Sequence, residues 1–414
     1  MNQAEKALSL AEKIGGKSGL NCIAELDPAA VEQSNVPGQD GLPLQGVPVL
    51  VKDNIDVKGL HTTAGSLALE DNIALSDAPV IRNLRRNGAV ILGKTNMTEF
   101  ANYVSQGMPG GYSSRGGQVI HAVNPALNVA GSSSGSAVAV AAGIVPMAVG
   151  TDTSHSVTGC AKFNGICGLK PPVGTLSAEG IIPIARTLDS AGAMARNLTD
   201  ALKLYSAMRD NPLPELKPKE TGSLRIAVNL ARALRIPEDE RRFYHLLLNR
   251  LRSSGAAIGD VLQAPPPELP TIMQWEFKPM LESYLAGSAA SRKTLAEIVE
   301  YYESHPDTMM KYGDSFLRAA LDETPGGLQG EPYLKALAAR EKAIALVTAR
   351  IRKYDAVLMT GPTSIMHFCG LPTVTVAAPV KTSAGLNRTV ILYGTDEYRL
   401  YETALAIEQE MKSL

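Results

Sequence analysis

Residues 130–137 read AGSSSGSA, residues 150–156 read GTDTSHS, and residues 46–52 form the apolar run GVPVLVK that ends in Lys52. Small hydroxyl residues and glycines bury little apolar surface, so clusters of them contribute little to a packed core. Set between apolar runs, they favour a hydrolase site in which hydroxyls and backbone N–H groups surround a reacting carbonyl.

The alternation of short apolar runs with helical segments predicts the fold. Continuous apolar runs at residues 47–51, 89–92 and 145–149 are typical of buried strands. Helical spacing over residues 78–86 and small residues over 135–143 predict helices between these strands. This order indicates an α/β fold: one large domain with a mixed, mostly parallel, twisted central sheet that helices cover on both faces.

Further elements are expected around this core. Residues 101–130 are rich in glycine, serine and asparagine and indicate a long loop, and a helix is expected to start near Thr95. The later elements are a helix at 238–252, strands at 224–228, 356–359, 373–376 and 389–393, and a last helix from about Asp396. Residues 1–414 are expected to be a single domain, with a core at 44–195, a mostly helical variable region at 223–350, and C-terminal strands and a helix at 351–414 that complete the sheet.

The balance of charges excludes several classes of partner. The 414 residues include 40 basic and 41 acidic side chains, so no electrostatic argument favours nucleic acid or an anionic membrane. No run reaches ~18 consecutive apolar residues, and residues 1–17 lack the apolar segment of a secretion signal. Four widely separated cysteines favour a reduced compartment. We therefore expect a cytoplasmic protein that neither crosses a membrane nor binds nucleic acid.

Two short motif matches are rejected on physical grounds. Residues 88–95 (GAVILGKT) fit a phosphate-binding loop, but four apolar residues between the glycines predict a strand whose N–H groups are committed to a sheet. Residues 131–135 fit the nucleophile elbow of α/β-hydrolases, but a turn precedes them instead of an apolar strand. The histidines and cysteines show no metal-ligand spacing, so we expect neither a metal nor a cofactor.

Several segments resemble the amidase signature family in their order and spacing. They are GVPVLVKDNID at 46–56, GKTNMTEF at 93–100, GSSSGSA at 131–137, and the stretch 150–171 that ends in GICGLKP. With Trp275 to Lys278 and the C-terminal strand, the resemblance covers essentially the whole chain. It implies the amidase signature fold and a serine amidohydrolase that cleaves the C–N bond of a small-molecule linear carboxamide. A homodimer is compatible with this interpretation.

The resemblance also implies a role for each matching residue. Ser156 matches the family's nucleophile, Ser132 matches the proton-relaying serine that sits on a cis peptide, and Lys52 matches the base. Ser133 and Asp152 match supporting positions. The expected oxyanion hole consists of backbone N–H groups, those of Thr153, Ser154, His155 and Ser156.

The chemistry explains why a lysine and two serines belong together. A serine hydroxyl is a poor nucleophile until a base takes its proton. Lysine accepts a proton only when it is neutral, which from a pKa of roughly 10.4 costs about 4.6 kcal/mol at pH 7. Burial can lower a lysine pKa by up to ~3–5 units, and the end of the buried run 46–52 offers such burial. Asp53, the next residue along the strand, should point to the opposite face, while Ser132 can donate and accept a proton at once.

Ser154 and His155 depart from the family, which usually has Gly-Gly before its nucleophile. Glycine is favoured where φ must be positive, and another residue there is strained by ~1 kcal/mol or more. Three explanations stay open: altered substrate choice, acyl transfer to an amine instead of water, and a catalytically impaired site. His155 is not favoured as the base, because neighbouring side chains seldom converge on one hydrogen bond.

Two other classes of protein also stay open. A glutaminase-type A subunit of an amidotransferase complex needs a basic group for the glutamine carboxylate, and Thr158 stands where an arginine is expected. A binding or scaffold protein could keep the fold without its chemistry. By the same resemblance, residues 107–118 and the helical stretch from Trp275 to Tyr284 are expected to wall the pocket.

Overall fold

The structure is a computed structural model that describes residues 2–33, 41–229, 236–262, 266–359 and 363–414. Within these ranges, thirteen strands are present, eleven of them in one sheet. The strands are β1 (Ile23–Leu26), β2 (Pro48–Lys52), β3 (Val90–Thr95), β4 (Tyr112–Ser113), β5 (Gly117–Gln118), β6 (Met147–Asp152), β7 (Cys167–Lys170), β8 (Ser190–Ala195), β9 (Arg225–Val228), β10 (Ala257–Asp260), β11 (Ala356–Met359), β12 (Thr373–Lys381) and β13 (Asn387–Tyr393). The large sheet has the order β1-β3-β2-β6-β8-β7-β12-β13-β11-β9-β10, and β4 and β5 form a separate hairpin.

The sheet is mixed, as predicted, but it is not mostly parallel. Of its ten strand pairings, four are parallel and six are antiparallel. The difference arises in the middle of the sheet, where β8, β7, β12 and β13 run antiparallel in succession. Strands β7 and β8, with the sequences CGLK and SAGAMA, were not predicted because glycine, alanine and serine have low strand propensity.

Helices surround the sheet along most of the chain. They are α1 (Gln3–Leu10), α2 (Ala30–Gln33), α3 (Pro79–Arg86), α4 (Ser134–Ala141), α5 (Thr158–Asn164), α6 (Leu198–Met208), α7 (Glu238–Ser253), α8 (Leu269–Ala286), α9 (Leu295–Ser304), α10 (Pro306–Met309), α11 (Ser315–Asp322), α12 (Glu331–Ile351), α13 (Ile365–Phe368) and α14 (Glu397–Lys412). Within the described ranges, none of them is long and apolar enough to cross a membrane.

Both faces of the sheet are buried. Along β2, Val49 and Val51 pack into one apolar cluster with α3 and α6, whereas Leu50 packs into another with α1 and α4. Successive strand residues point to opposite faces, so the split assigns one cluster to each face. The predicted cover of helices on both faces is therefore confirmed.

The predicted strands at 47–51, 89–92 and 145–149 and the predicted helices near them are confirmed within a few residues. The prediction that a helix starts near Thr95 is wrong, because β3 continues to Thr95. The side chain of Thr95 is held there by a hydrogen bond with the Ser136 hydroxyl (2.8 Å). The loop at 101–130 contains the short β4–β5 hairpin, which the glycine-rich sequence did not reveal.

Candidate active site

Lys52 lies at the carboxyl end of β2 and is fully buried. Its Nζ lies 2.7 Å from Ser132 Oγ, 2.7 Å from Thr151 Oγ1 and 3.4 Å from the Thr151 carbonyl oxygen, all within hydrogen-bond distance. Thr151 reaches it from β6, the parallel neighbour of β2. Asn54 holds Thr151 from the other side, since its amide donates to Thr151 Oγ1 (3.1 Å) and to the Ile182 carbonyl (3.0 Å).

Burial lowers the pKa of Lys52 to about 7, and the carboxylates of Asp152 and Asp189 oppose this shift only in part. Asp53 does not add to that opposition, because its side chain points away. It accepts from Thr63 Oγ1 and from the Gly65 N–H, and it lies 3.8 Å from Lys94 Nζ. The predicted orientation of Asp53 is confirmed, and with a pKa of about 7 roughly half of the Lys52 amine is neutral at pH 7.

Ser132 and Ser133 lie in the turn before α4. The Gly131–Ser132 peptide bond is cis, as the resemblance implied. Ser132 contacts Lys52, whereas Ser133 contacts the backbone of Thr151. Its Oγ donates to the Thr151 carbonyl (3.1 Å) and accepts from the Thr151 N–H (3.3 Å). Ser133 therefore fixes the strand end that carries one of the two hydroxyls next to the Lys52 amine.

Asp152 holds the backbone on both sides of Ser156. Its Oδ1 accepts from the His155 N–H (2.8 Å), and its Oδ2 accepts from the N–H groups of Val157 (2.9 Å) and Thr158 (3.0 Å) and from Thr158 Oγ1 (3.1 Å). Burial alone would raise the pKa of Asp152, but His367 and the Thr158 N–H lower it to about 2. The carboxylate is thus ionised and accepts hydrogen bonds only.

We expect Asp152→Asn to lower the free energy of unfolding by roughly 3 kcal/mol. The change replaces one carboxylate oxygen with an amide NH₂ group, which faces backbone N–H donors and cannot accept from them. The same change should reduce amide hydrolysis by about 10²-fold, since the loop that carries Ser156 loses its anchor. Chemical denaturation and steady-state kinetics test both effects, with the exposed Asp307→Asn as control. Unchanged denaturation and turnover would contradict this role.

The pH dependence of stability gives a second readout for Asp152. Its pKa is about 2 in the folded state and 3.8 when unperturbed, so its stabilisation is present above pH 3.8 and is lost as the pH falls through 2. The expected loss is about 2 kcal/mol between these values. Denaturation series at pH 4 and pH 2 should show it in the wild type and not in Asp152→Asn.

The loop at 153–156 offers backbone donors beside Ser156. Among the described residues, the N–H groups of Thr153, Ser154 and Ser156 have no acceptor, whereas the His155 N–H is bonded to Asp152. The four-donor set expected from the sequence thus has three members free for an oxyanion. The Ser133 N–H donates to the Ser156 carbonyl (3.3 Å), which places the backbone of Ser156 against the serine turn.

His155, and not Ser154, occupies the position that requires a left-handed backbone, with φ at +83°. Its ring points toward Ser364 and His367. Nδ1 lies 3.1 Å from His367 Nε2, and Nε2 lies 3.3 Å from Ser364 Oγ. These contacts agree with the sequence-based preference against His155 as the base.

A cavity of about 350 Å³ adjoins the site and is lined by Ala101, Thr151 and Thr153. Its wall includes Tyr284 of α8, as expected, but no residue of the loop 107–118 within the described ranges. Asp189 also lines it. Burial raises the pKa of Asp189 to about 7, although its carboxylate accepts from Thr153 Oγ1 (2.5 Å).

Several residues around the site were not identified from the sequence. Thr151 and Asn54 belong to quoted segments, and their polar side chains beside Lys52 and Asp152 were an available signal. His367 and Ser364 gave no signal, because they lie more than 200 positions from His155. No sequence pattern relates residues at such a separation.

The site and the fold agree with the comparisons to known proteins. The profile of the family described as Amidase matches residues 12–378. The chain therefore belongs to the amidase signature family and is an amide-hydrolysing enzyme. A probable amidase of Arabidopsis thaliana is 31% identical over 94% of this chain and 83% of its own length.

Two further comparisons describe particular relatives. The crystal structure of the native peptide amidase of Stenotrophomonas maltophilia matches with a TM-score of 0.89 and 29% identity, over 100% of this chain and 94% of that one. The A subunit of the glutamyl-tRNA(Gln) amidotransferase of Methanosarcina barkeri is 44% identical over 47% of this chain. That match spans only 40% of the relative's own length.

Proposed function

We propose that this enzyme cleaves the C–N bond of a linear carboxamide through an acyl-enzyme on Ser156, with Ser132 as proton relay and Lys52 as base. The observation that carries the proposal is the buried contact of 2.7 Å between Lys52 Nζ and Ser132 Oγ. The lowered pKa of Lys52, about 7, supports it, because a lysine acts as a base only in its neutral form.

The hydrogen bonds of Lys52 suit this role. A neutral amine has two N–H donors and one lone pair. The hydroxyl and carbonyl of Thr151, at 2.7 and 3.4 Å, can take the two donors. The lone pair then faces the Ser132 hydroxyl, so that Ser132 can give its proton to Lys52 while it takes one from Ser156.

The reaction then follows in two halves. Ser156 Oγ attacks the carbonyl carbon, its proton passes through Ser132 to Lys52, and the N–H groups of Thr153, Ser154 and Ser156 receive the oxyanion. The proton returns through Ser132 to the leaving nitrogen as the C–N bond breaks. In the second half, water attacks the acyl-enzyme and its proton passes through Ser132 to Lys52. The proton then returns to Ser156 Oγ as the acid is released. Among the described residues Ser132 Oγ is bonded to Lys52 Nζ and not to Ser156 Oγ, and catalytic contacts of this kind commonly tighten only when substrate binds.

The substrate class is inferred from the surroundings of Ser156. Thr158, which stands where a glutaminase subunit should carry an arginine, directs its hydroxyl to Asp152 and brings no positive charge. Position 158 thus offers a substrate carboxylate no bidentate partner, although Arg186 lines the adjoining cavity. We therefore propose a free-standing amidase that acts on a small linear amide, and not a glutaminase that depends on a partner.

A fluorophosphonate probe tests for the activated serine. We expect one adduct per chain by intact-mass measurement, and peptide mapping should place it on Ser156. Ser154→Ala, which keeps the backbone donor, should label at least half as fast as the wild type. An adduct on any other serine, or turnover of glutamine only with an added partner, would overturn the proposal.

A further inference from the structure

His155, the residue that precedes Ser156, has a left-handed backbone conformation. Its φ of +83° is a backbone conformation that glycine adopts freely and that costs other residues about 1 kcal/mol or more. A strained residue persists where its surroundings hold it, and strain of this kind concentrates at functional sites. We therefore expect contacts of the His155 side chain to hold it in this strained conformation.

The ring belongs to a chain of four polar groups. Ser364 Oγ lies 3.3 Å from His155 Nε2, and His155 Nδ1 lies 3.1 Å from His367 Nε2. His367 Nδ1 lies 3.3 Å from Asp152 Oδ1 in an imperfectly aligned contact. His367 is fully buried, and the two imidazole rings meet edge to face with centroids 4.3 Å apart.

One placement of the protons gives each of the three contacts in this chain a donor and an acceptor while both rings are neutral. The Asp152 carboxylate only accepts, so His367 carries its hydrogen on Nδ1 and leaves Nε2 as an acceptor. His155 must then carry its hydrogen on Nδ1, which faces that acceptor. His155 Nε2 is left to accept from the Ser364 hydroxyl. Each of the three contacts then has one donor and one acceptor.

We propose that His155 and His367 form a two-histidine clamp that holds the oxyanion loop, residues 153–156, against residues 363–368, and that fast amide hydrolysis requires this clamp to be closed. The inference rests on the proposed function, since it concerns the loop that would bind the oxyanion. Both histidines are positioning residues. Asp152 carries their effect to the loop, because the same oxygen that faces His367 accepts the His155 N–H.

The clamp should open in acid. The charged groups that act on the two rings are Asp152 from β6, Lys162 from α5 and Lys170 from β7, with the Thr363 backbone also bonded to His155. Burial lowers the pKa of both histidines, and Asp152 opposes this shift.

One added proton can enter at His155 Nε2, where Ser364 then accepts instead of donating. A second proton would have to enter at His367 Nε2 and would meet the hydrogen on His155 Nδ1. The two rings would then repel each other, so the doubly protonated clamp cannot stay closed.

Nuclear magnetic resonance of the full-length protein with ¹⁵N-labelled histidine tests the clamp independently of activity. The chain has 6 histidines, so their ring spectra can be assigned by single substitutions. We expect the Nδ1–H tautomer for both His155 and His367 at pH 7, and a changed His155 tautomer or titration in His367→Asn. An Nε2–H tautomer at either ring, or a His155 titration that ignores His367→Asn, would overturn the proposal.

A double-mutant cycle tests the role in catalysis. In His367→Asn the amide nitrogen can still donate to Asp152, but the acceptor for His155 is lost, so kcat should fall about tenfold with little change in KM. In a His155→Gly background the same change should cost less than twofold, because the partner is already gone. Equal costs in both backgrounds would overturn the proposal.

Two further variants make the test specific. His367→Gln, whose amide oxygen can reach His155 Nδ1, should recover part of the lost kcat. His305→Gln, an exposed histidine, should behave as the wild type. If the enzyme turns over no amide at all, the proposed function fails, while the tautomer measurement still decides whether the clamp exists. A closed clamp with unaltered kinetics in His367→Asn would refute its part in catalysis.

Discussion

Ser156→Ala will reduce kcat/KM for amide hydrolysis by about 10⁵-fold, the largest effect expected of any single substitution. The hydroxyl is the atom that bonds to the substrate, so its loss removes the acyl-enzyme route, while the free N–H groups of residues 153–156 still bind the carbonyl oxygen. Because those donors belong to the backbone, affinity for an unreacted amide should be nearly unchanged.

The measurement is steady-state turnover of a panel of primary amides, together with binding of one of them to the Ser156→Ala protein. The matched control is Ser154→Ala, which removes a neighbouring hydroxyl and keeps its N–H. Turnover by Ser156→Ala within tenfold of the wild type would exclude Ser156 as the nucleophile. Loss of binding with loss of turnover would instead point to a collapsed loop, which circular dichroism and denaturation would reveal.

Lys52→Met is expected to lower kcat/KM by about 10⁴-fold, because the general base is lost while a side chain of similar volume fills its place. The wild-type enzyme should show the titration of this base. Since the pKa of Lys52 is about 7 and only the neutral amine accepts a proton, kcat/KM should fall tenfold per pH unit below pH 7. The exposed Lys58→Met should keep the wild-type profile.

The same substitution is expected to stabilise the protein. The Lys52 pKa of about 7 in the folded state, against an unperturbed 10.5, corresponds to about 5 kcal/mol of folding free energy that the buried charge costs below pH 7. Methionine removes this cost. It also leaves the hydroxyls of Ser132 and Thr151 without their donor, and that loss lowers the stability by roughly 2 kcal/mol.

Chemical denaturation at several pH values tests whether Lys52→Met raises the free energy of unfolding. Lys52→Met should be the more stable protein by about 3 kcal/mol at pH 6, and its advantage should shrink as the pH rises from 7 to 10.5. A less stable variant at pH 6 would show that the Lys52 hydrogen bonds outweigh the cost of burial. That result would contradict the assignment of Lys52 as a base kept neutral by burial.

The sequence predicted those parts of the structure that local patterns determine. The runs 47–51 and 89–92 are continuous and apolar, and both became strands buried on two faces. Lys52 and Ser132 were assigned to one site from the order and spacing of segments, and the structure brings their side chains to 2.7 Å. The runs that form β7 and β8 carry small residues with weak propensity, so their antiparallel pairing could not be inferred.

The relation between His155 and its surroundings shows the limit of such prediction. The sequence indicated that a residue with a side chain replaced glycine, and the positive φ of His155 agrees with the expected strain. It did not indicate that His367 would lie 3.1 Å away, because a contact across 212 positions leaves no periodic signal. Only the arrangement of β6, α5 and the segment before β12 brings the two rings together.

The order in which these parts are synthesised has a consequence for the nascent chain. Lys52, Ser132 and Ser156 leave the ribosome early, but β12, which pairs with β7 and β13, is made more than 200 residues after Ser156. From β12, Thr375 Oγ1 donates to the Thr158 carbonyl (2.7 Å), directly behind the serine loop. A growing chain that has not reached residue 363 would therefore contain all three of these residues and lack the strand that supports them. We expect the enzyme to gain activity only after β12 and β13 have been made.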